Sequence, residues 1–104
     1  MKVMKFGGTS VGSVNSILNL KSIVEKAAES ENVIVVVSAL GGITDKLIKT
    51  SLLAVNGDRA FNKEFQEIVA RHHDLINATI TCETKRTALL QEVDLLLNEL
   101  DNIY

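Results

Sequence analysis

The sequence predicts an α/β protein: a βαβ unit with parallel strands, followed by about three helices. Three observations carry this reading. Val3, Met4 and Phe6 form a short apolar stretch that ends at Gly7-Gly8, and Val33-Ile34-Val35-Val36-Val37 is an unbroken β-branched run that ends at Ser38. The segment between them, and the chain after the second run, follow helical rather than alternating periodicity.

Each element has its own signal. The first strand is stopped by Gly7-Gly8. Ser13 to Glu29 then places Ile17, Leu20, Val24, Ala27 and Ala28 on one helical stripe, with Ser13 as N-cap. The second strand is continuously apolar, which predicts burial on both faces of a parallel sheet covered by helices. A helix starts at Thr44 or Asp45, runs through Leu47, Ile48, Leu52 and Val55, and is ended by Asn56-Gly57, which supply a left-handed residue. Phe61, Phe65, Ile68, His72, Leu75 and Ile76 fall within about a third of a helical circumference. Leu89, Val93, Leu96, Leu100 and Ile103 repeat at spacings of four and three, with Leu90, Leu97 and Tyr104 beside them, so the last two helices form a hairpin.

Composition narrows the class further. With 104 residues, 46% of them hydrophobic, the chain is long enough for one compact domain and too apolar for disorder. Eleven Lys+Arg against 13 Asp+Glu leave a formal charge of −2, with no basic excess to neutralise a nucleic-acid backbone. The single cysteine, Cys82, cannot form an internal disulfide, which favours a reducing, cytoplasmic location. The longest wholly apolar run is far below the roughly 18 to 20 residues that span a bilayer, so no membrane partner is expected. Two strands are fewer than a buried parallel sheet normally has, and the apolar period is still running at Tyr104. The expectation is that residues 1–104 are the N-terminal part of a larger α/β domain.

Two glycine turns are candidate sites. Lys5-Phe6-Gly7-Gly8-Thr9-Ser10-Val11-Gly12 runs from a strand into a turn that opens a helix. It matches neither the Walker A loop nor the Rossmann fingerprint. It still has the parts of a phosphate site, because glycines let phosphate oxygens approach backbone N–H groups, the following helix offers its positive end, and Lys5 adds a full charge. A tight βα turn with a surface lysine is the alternative. Ser38-Ala39-Leu40-Gly41-Gly42-Ile43-Thr44-Asp45 occupies the corresponding end of the second strand. There Ser38 and Thr44 could donate to a carboxylate, or could simply cap the next helix.

These residues also carry a resemblance. Lys5 to Ser10 are identical to the Lys-Phe-Gly-Gly-Thr-Ser motif that opens aspartokinases of the amino-acid kinase family, and Val36, Val37, Ser38, Ala39, Gly42, Ile43 and Thr44 match their second signature. The start, Met1 to Phe6, most resembles bifunctional aspartokinase–homoserine dehydrogenases. The resemblance implies a three-layer α/β/α amino-acid kinase fold, and transfer of the γ-phosphoryl group of ATP, with Mg2+ held through ATP, to the side-chain carboxylate of L-aspartate. The product, 4-phospho-L-aspartate, leads towards lysine, threonine, methionine and isoleucine. Lys5 would be the catalytic cation and would bind ATP together with Gly7, Gly8 and Ser10; Ser38, Ala39 and Thr44 would bind aspartate. No protein residue is expected to bind the metal directly, and a homo-oligomer is expected. The family's Ser-x-Gly-Glu motif, its arginine for the α-carboxylate, its aspartates near the phosphates, its adenine loop and its regulatory ACT domains have no match among these residues, so the segment alone is expected to be inactive. The competing readings are another amino-acid kinase and a non-catalytic helical interaction module.

Arg71-His72-His73-Asp74 does not suggest a metal site, since adjacent helical positions diverge by about 100°. His72 is expected to be a partly buried structural residue, His73 to face solvent, and Cys82 to be a free thiol between helices.

Overall fold

The computed structural model describes residues 1–104. The elements in chain order are strand β1 (Lys2–Phe6), a 3-10 turn (Gly8–Val11), helix α1 (Val14–Ala28), strand β2 (Val33–Val37), and helices α2 (Ile43–Val55), α3 (Ala60–Thr79) and α4 (Glu83–Ile103). This mixed α/β order is the expected βαβ unit with three helices after it. The chain divides into two compact units, residues 1–44 and residues 45–104. No helix is long and apolar enough to cross a membrane.

In the first unit β1 and β2 pair in parallel, with Lys2 opposite Val33, Lys5 opposite Val36 and Phe6 opposite Val37. Helix α1 begins where its cap predicts, since the Ser16 N–H donates to Ser13 Oγ at 3.2 Å. It packs against the sheet on one side. Strand alternation puts Met4 and Phe6 on the side where Leu20, Ile23 and Ala27 of α1 lie beside them. Val3, Lys5, Ile34 and Val36 occupy the opposite side. There the expectation of burial on both faces fails: Val3 is 62% exposed, Ile34 46% and Val36 45%. On the α1 side Val35 is 39% and Val37 56% exposed as well, because one crossover helix over a two-stranded sheet leaves both faces incompletely covered. Val11, inside the 3-10 turn, is instead buried.

In the second unit α2 ends as expected at a left-handed Gly57, φ +69°. Asp58 N–H reaches Leu53 O at 2.9 Å and Gly57 N–H reaches Ala54 O at 3.1 Å, the paired bonds of a Schellman cap. Phe65, Ile68 and Ile76 of α3 and Leu97 of α4 form the core, with Thr50 fully buried and its hydroxyl donating to Lys46 O at 2.7 Å. Tyr104 meets Phe65 edge to face, at 6.1 Å between ring centroids, and its hydroxyl donates to Leu47 O at 3.4 Å. Leu97 is buried while Leu96 and Ile103, expected on the same broad apolar face, are largely exposed. Lys46 of α2 bridges Glu64 and Glu67 of α3, and Lys49 joins Glu64 at 3.0 Å.

The histidines divide as their positions require. His72 is half-buried, with Nδ1 2.7 Å from Ile68 O, a geometry in which Nδ1 carries the proton. His73 does not face solvent freely: its Nε2 lies 2.5 Å from Asp94 Oδ1 across the α3–α4 contact. Cys82 is an exposed free thiol immediately before α4.

Candidate functional site

Parallel pairing brings the C-terminal ends of β1 and β2 side by side, so the two glycine turns become neighbours. Ser38 N–H donates to Phe6 O at 3.1 Å, extending the ladder one residue past β2. A methyl group built on Gly7 would lie 3.5 Å from Ser38 Oγ. Gly41 N–H donates to Val11 O at 3.3 Å. All seven residues singled out from the sequence, Lys5, Gly7, Gly8, Ser10, Ser38, Ala39 and Thr44, lie in the first unit, at or just beyond these strand ends.

Their local geometry differs in ways that matter chemically. Lys5 is exposed, on the uncovered face of the sheet beside Val36. Gly7 is extended, with φ −157°. Gly8 has φ +58° and nothing within 4 Å of where a side chain would begin, so the backbone there is left-handed and open to an incoming group. Ser10 N–H is used by the turn itself, donating to Gly7 O at 3.2 Å, which leaves its hydroxyl as the group a ligand could meet. Thr9 and Ser10, with Ser16 and Asn19 of α1, line a cleft of about 280 Å³ that also touches Phe6.

On the acceptor side the hydroxyl of Ser38 donates to Ala39 O at 2.7 Å. It therefore caps no helix here, and must rotate to meet a carboxylate. Thr44 is the second residue of α2 and is exposed, inside the first helical turn rather than at its cap; Ile43 N–H closes that turn onto Leu40 O at 3.0 Å. The positive end of the α2 dipole thus falls at the same turn. An anionic group between the two turns would meet a lysine, an open left-handed glycine, several hydroxyls and the start of a helix. Val11, Gly12 and Gly41 lie within the two turns read from the sequence, but no individual role was expected of them.

Comparison with known proteins places this geometry in a family. Residues 1–101 match the model of the amino acid kinase family. The aspartokinase of Bacillus sp. (strain MGA3) is 53% identical over 47 residues, a segment covering 44% of this chain and 11% of that relative. Aspartokinase 2 of Bacillus subtilis (strain 168) is 44% identical over 70 residues, 65% of this chain and 16% of the relative. A bifunctional aspartokinase/homoserine dehydrogenase of Buchnera aphidicola is 41% identical over 49 residues, 47% of this chain and 6% of the relative. The chain thus matches only a small part of the length of these relatives.

Proposed function

The chain belongs to the amino acid kinase family, and from that premise we propose that its paired turns are the phosphate side and part of the acceptor side of an aspartate kinase. The reaction moves the γ-phosphoryl group of ATP to the side-chain carboxylate of L-aspartate and gives 4-phospho-L-aspartate. The observation that carries this reading is the juxtaposition of two anion-ready turns at adjacent parallel strand ends, in a chain whose relatives are named aspartokinases.

Phosphoryl transfer asks a protein mainly for positioning and for charge stabilisation. Lys5 offsets the charge on the transferring group. Gly7 and Gly8 let phosphate oxygens approach the backbone, and a methyl group at Gly8 would fill that open space. Ser10 adds its hydroxyl. Ser38 and Thr44 donate hydroxyls to aspartate, with Ala39 lying against it. Magnesium arrives on the ATP phosphates and supplies charge neutralisation there, without a ligand from these residues. Cytoplasmic location and homo-oligomeric assembly belong to the same proposal.

The test is ADP release by the full-length protein with Mg·ATP and a panel of carboxylic acids. Release that requires L-aspartate is expected. Release driven by another acid, with none from aspartate, would assign a different amino-acid kinase.

A further inference from the structure

The second turn sits on the first through a glycine that the proposed chemistry does not use. A methyl group on Gly41 would lie 3.2 Å from Gly8 O and 3.3 Å from Gly12 Cα, both backbone atoms that cannot swing aside as a side chain can. Gly41 is not among the glycines with positive φ, so alanine there meets a packing obstacle rather than backbone strain. Its N–H is also committed, donating to Val11 O at 3.3 Å. One residue therefore touches the first turn at Gly8, Val11 and Gly12.

Pressure on Gly8 O does not stay local. Gly8 O and Thr9 N belong to one planar peptide unit, so pushing the carbonyl tilts the Thr9 N–H at the other side of that plane. Thr9 lies in the turn proposed to cradle phosphate.

We infer that Gly41 is a positioning residue: its bare Cα and its N–H seat the acceptor-side turn on the phosphate-side turn, and the depth of that seat sets the distance between phosphoryl donor and carboxylate acceptor. This inference rests on the aspartate kinase reading. In-line transfer needs the reacting atoms about 3–3.5 Å apart, so an opening of a few tenths of an ångström, the relief that alanine demands, is felt in the rate.

The test compares the native full-length protein with Gly41→Ala, and with Ile68→Val as a variant that lowers stability inside the second unit. Gly41→Ala is expected to lower kcat about tenfold or more while leaving KM for ATP and for L-aspartate within about threefold. Its amide NMR signals at Gly8, Thr9 and Gly12 should shift, and the Gly41 amide should exchange faster. Ile68→Val is expected to lower the melting temperature and leave kcat unchanged. Native kcat in Gly41→Ala would overturn the inference, as would an equal loss of kcat in Ile68→Val. If the native protein shows no aspartate-dependent ADP release, the kinase reading fails and the NMR arm decides the seat by itself. Unmoved signals at Gly8, Thr9 and Gly12 then overturn it, and shifted signals uphold it.

Discussion

Gly8→Ala tests the phosphate cradle most directly, because the two costs it imposes can be separated. At φ +58° the backbone of Gly8 is left-handed, and a residue with a Cβ pays about 1 kcal/mol to remain there. Nothing lies within 4 Å of the added methyl group, so packing contributes no further cost. With an unfolding entropy of about 0.2 kcal/mol/K for a chain of this length, the melting temperature should fall by about 5 °C. Gly7→Ala is the internal comparison. Its φ of −157° suits any residue and its new methyl group would make an ordinary 3.5 Å contact with Ser38 Oγ, so its melting temperature should stay at or slightly above native. Binding of Mg·ATP by titration calorimetry reads the second cost. The methyl group of Gly8→Ala occupies the space offered to a phosphate oxygen, and loss of one charge-assisted hydrogen bond, about 1.5–3 kcal/mol, weakens binding by about tenfold or more. Gly8→Asn separates the two effects: asparagine tolerates the left-handed region, so stability recovers in part while binding stays weak. Unchanged Mg·ATP affinity in both Gly8 variants would refute the cradle. An unchanged melting temperature in Gly8→Ala would refute the backbone argument.

Three further predictions follow from other residues. Lys5→Met should lower kcat by about 10² or more, the scale of one lost preorganised electrostatic group, and a nearly native kcat would remove Lys5 from the chemistry. Ser38→Ala or Thr44→Val should raise KM for L-aspartate with much less change for ATP; equal effects on both substrates would contradict their placement on the acceptor side. In the second unit, hydrogen bonds from Lys49 and then Lys46 hold the Glu64 carboxyl below its ordinary value of 4.5. A carboxyl lowered by folding contributes stability that is present above 4.5 and is lost as pH falls through the folded value. Glu64→Gln should therefore melt lower than native at neutral pH, with a gap that closes below about pH 4.5, and a gap independent of pH would show that the lysines do not act through charge.

The parts of the fold that could be read from the sequence were those governed by local rules. Ser13 caps α1 because its hydroxyl reaches the Ser16 N–H three residues away, and Gly57 ends α2 because only a left-handed residue closes that cap; both signals lie within a few residues of their effect. The misreadings came from partners distant in sequence. Nothing within Val33–Val37 tells how much of it other elements will cover, and Ile34, Val35, Val36 and Val37 are all exposed with only α1 and β1 packed against the strand. Periodicity puts Leu96, Leu97 and Ile103 on one broad apolar face of α4, and which of them is covered depends on the helix that face meets: Leu97 is buried, while Leu96 and Ile103 stay exposed. His73 was read as a surface group because Asp94, its partner, is 21 residues away.

The candidate site follows the same division. Glycines, hydroxyls and Lys5 at strand ends were visible one turn at a time, and the sequence could say what each turn offers an anion. That the turns lie side by side depends on the register Lys5–Val36 and on the close packing at Gly41, where an added methyl group would lie 3.2 Å from Gly8 O, neither of which is a local property. A phosphate turn alone binds an anion; two such turns at a fixed separation can hold a phosphoryl group against an acceptor carboxylate. Under the proposed kinase reading, the contact between the two glycine turns is where a single added carbon should cost more in rate than in affinity.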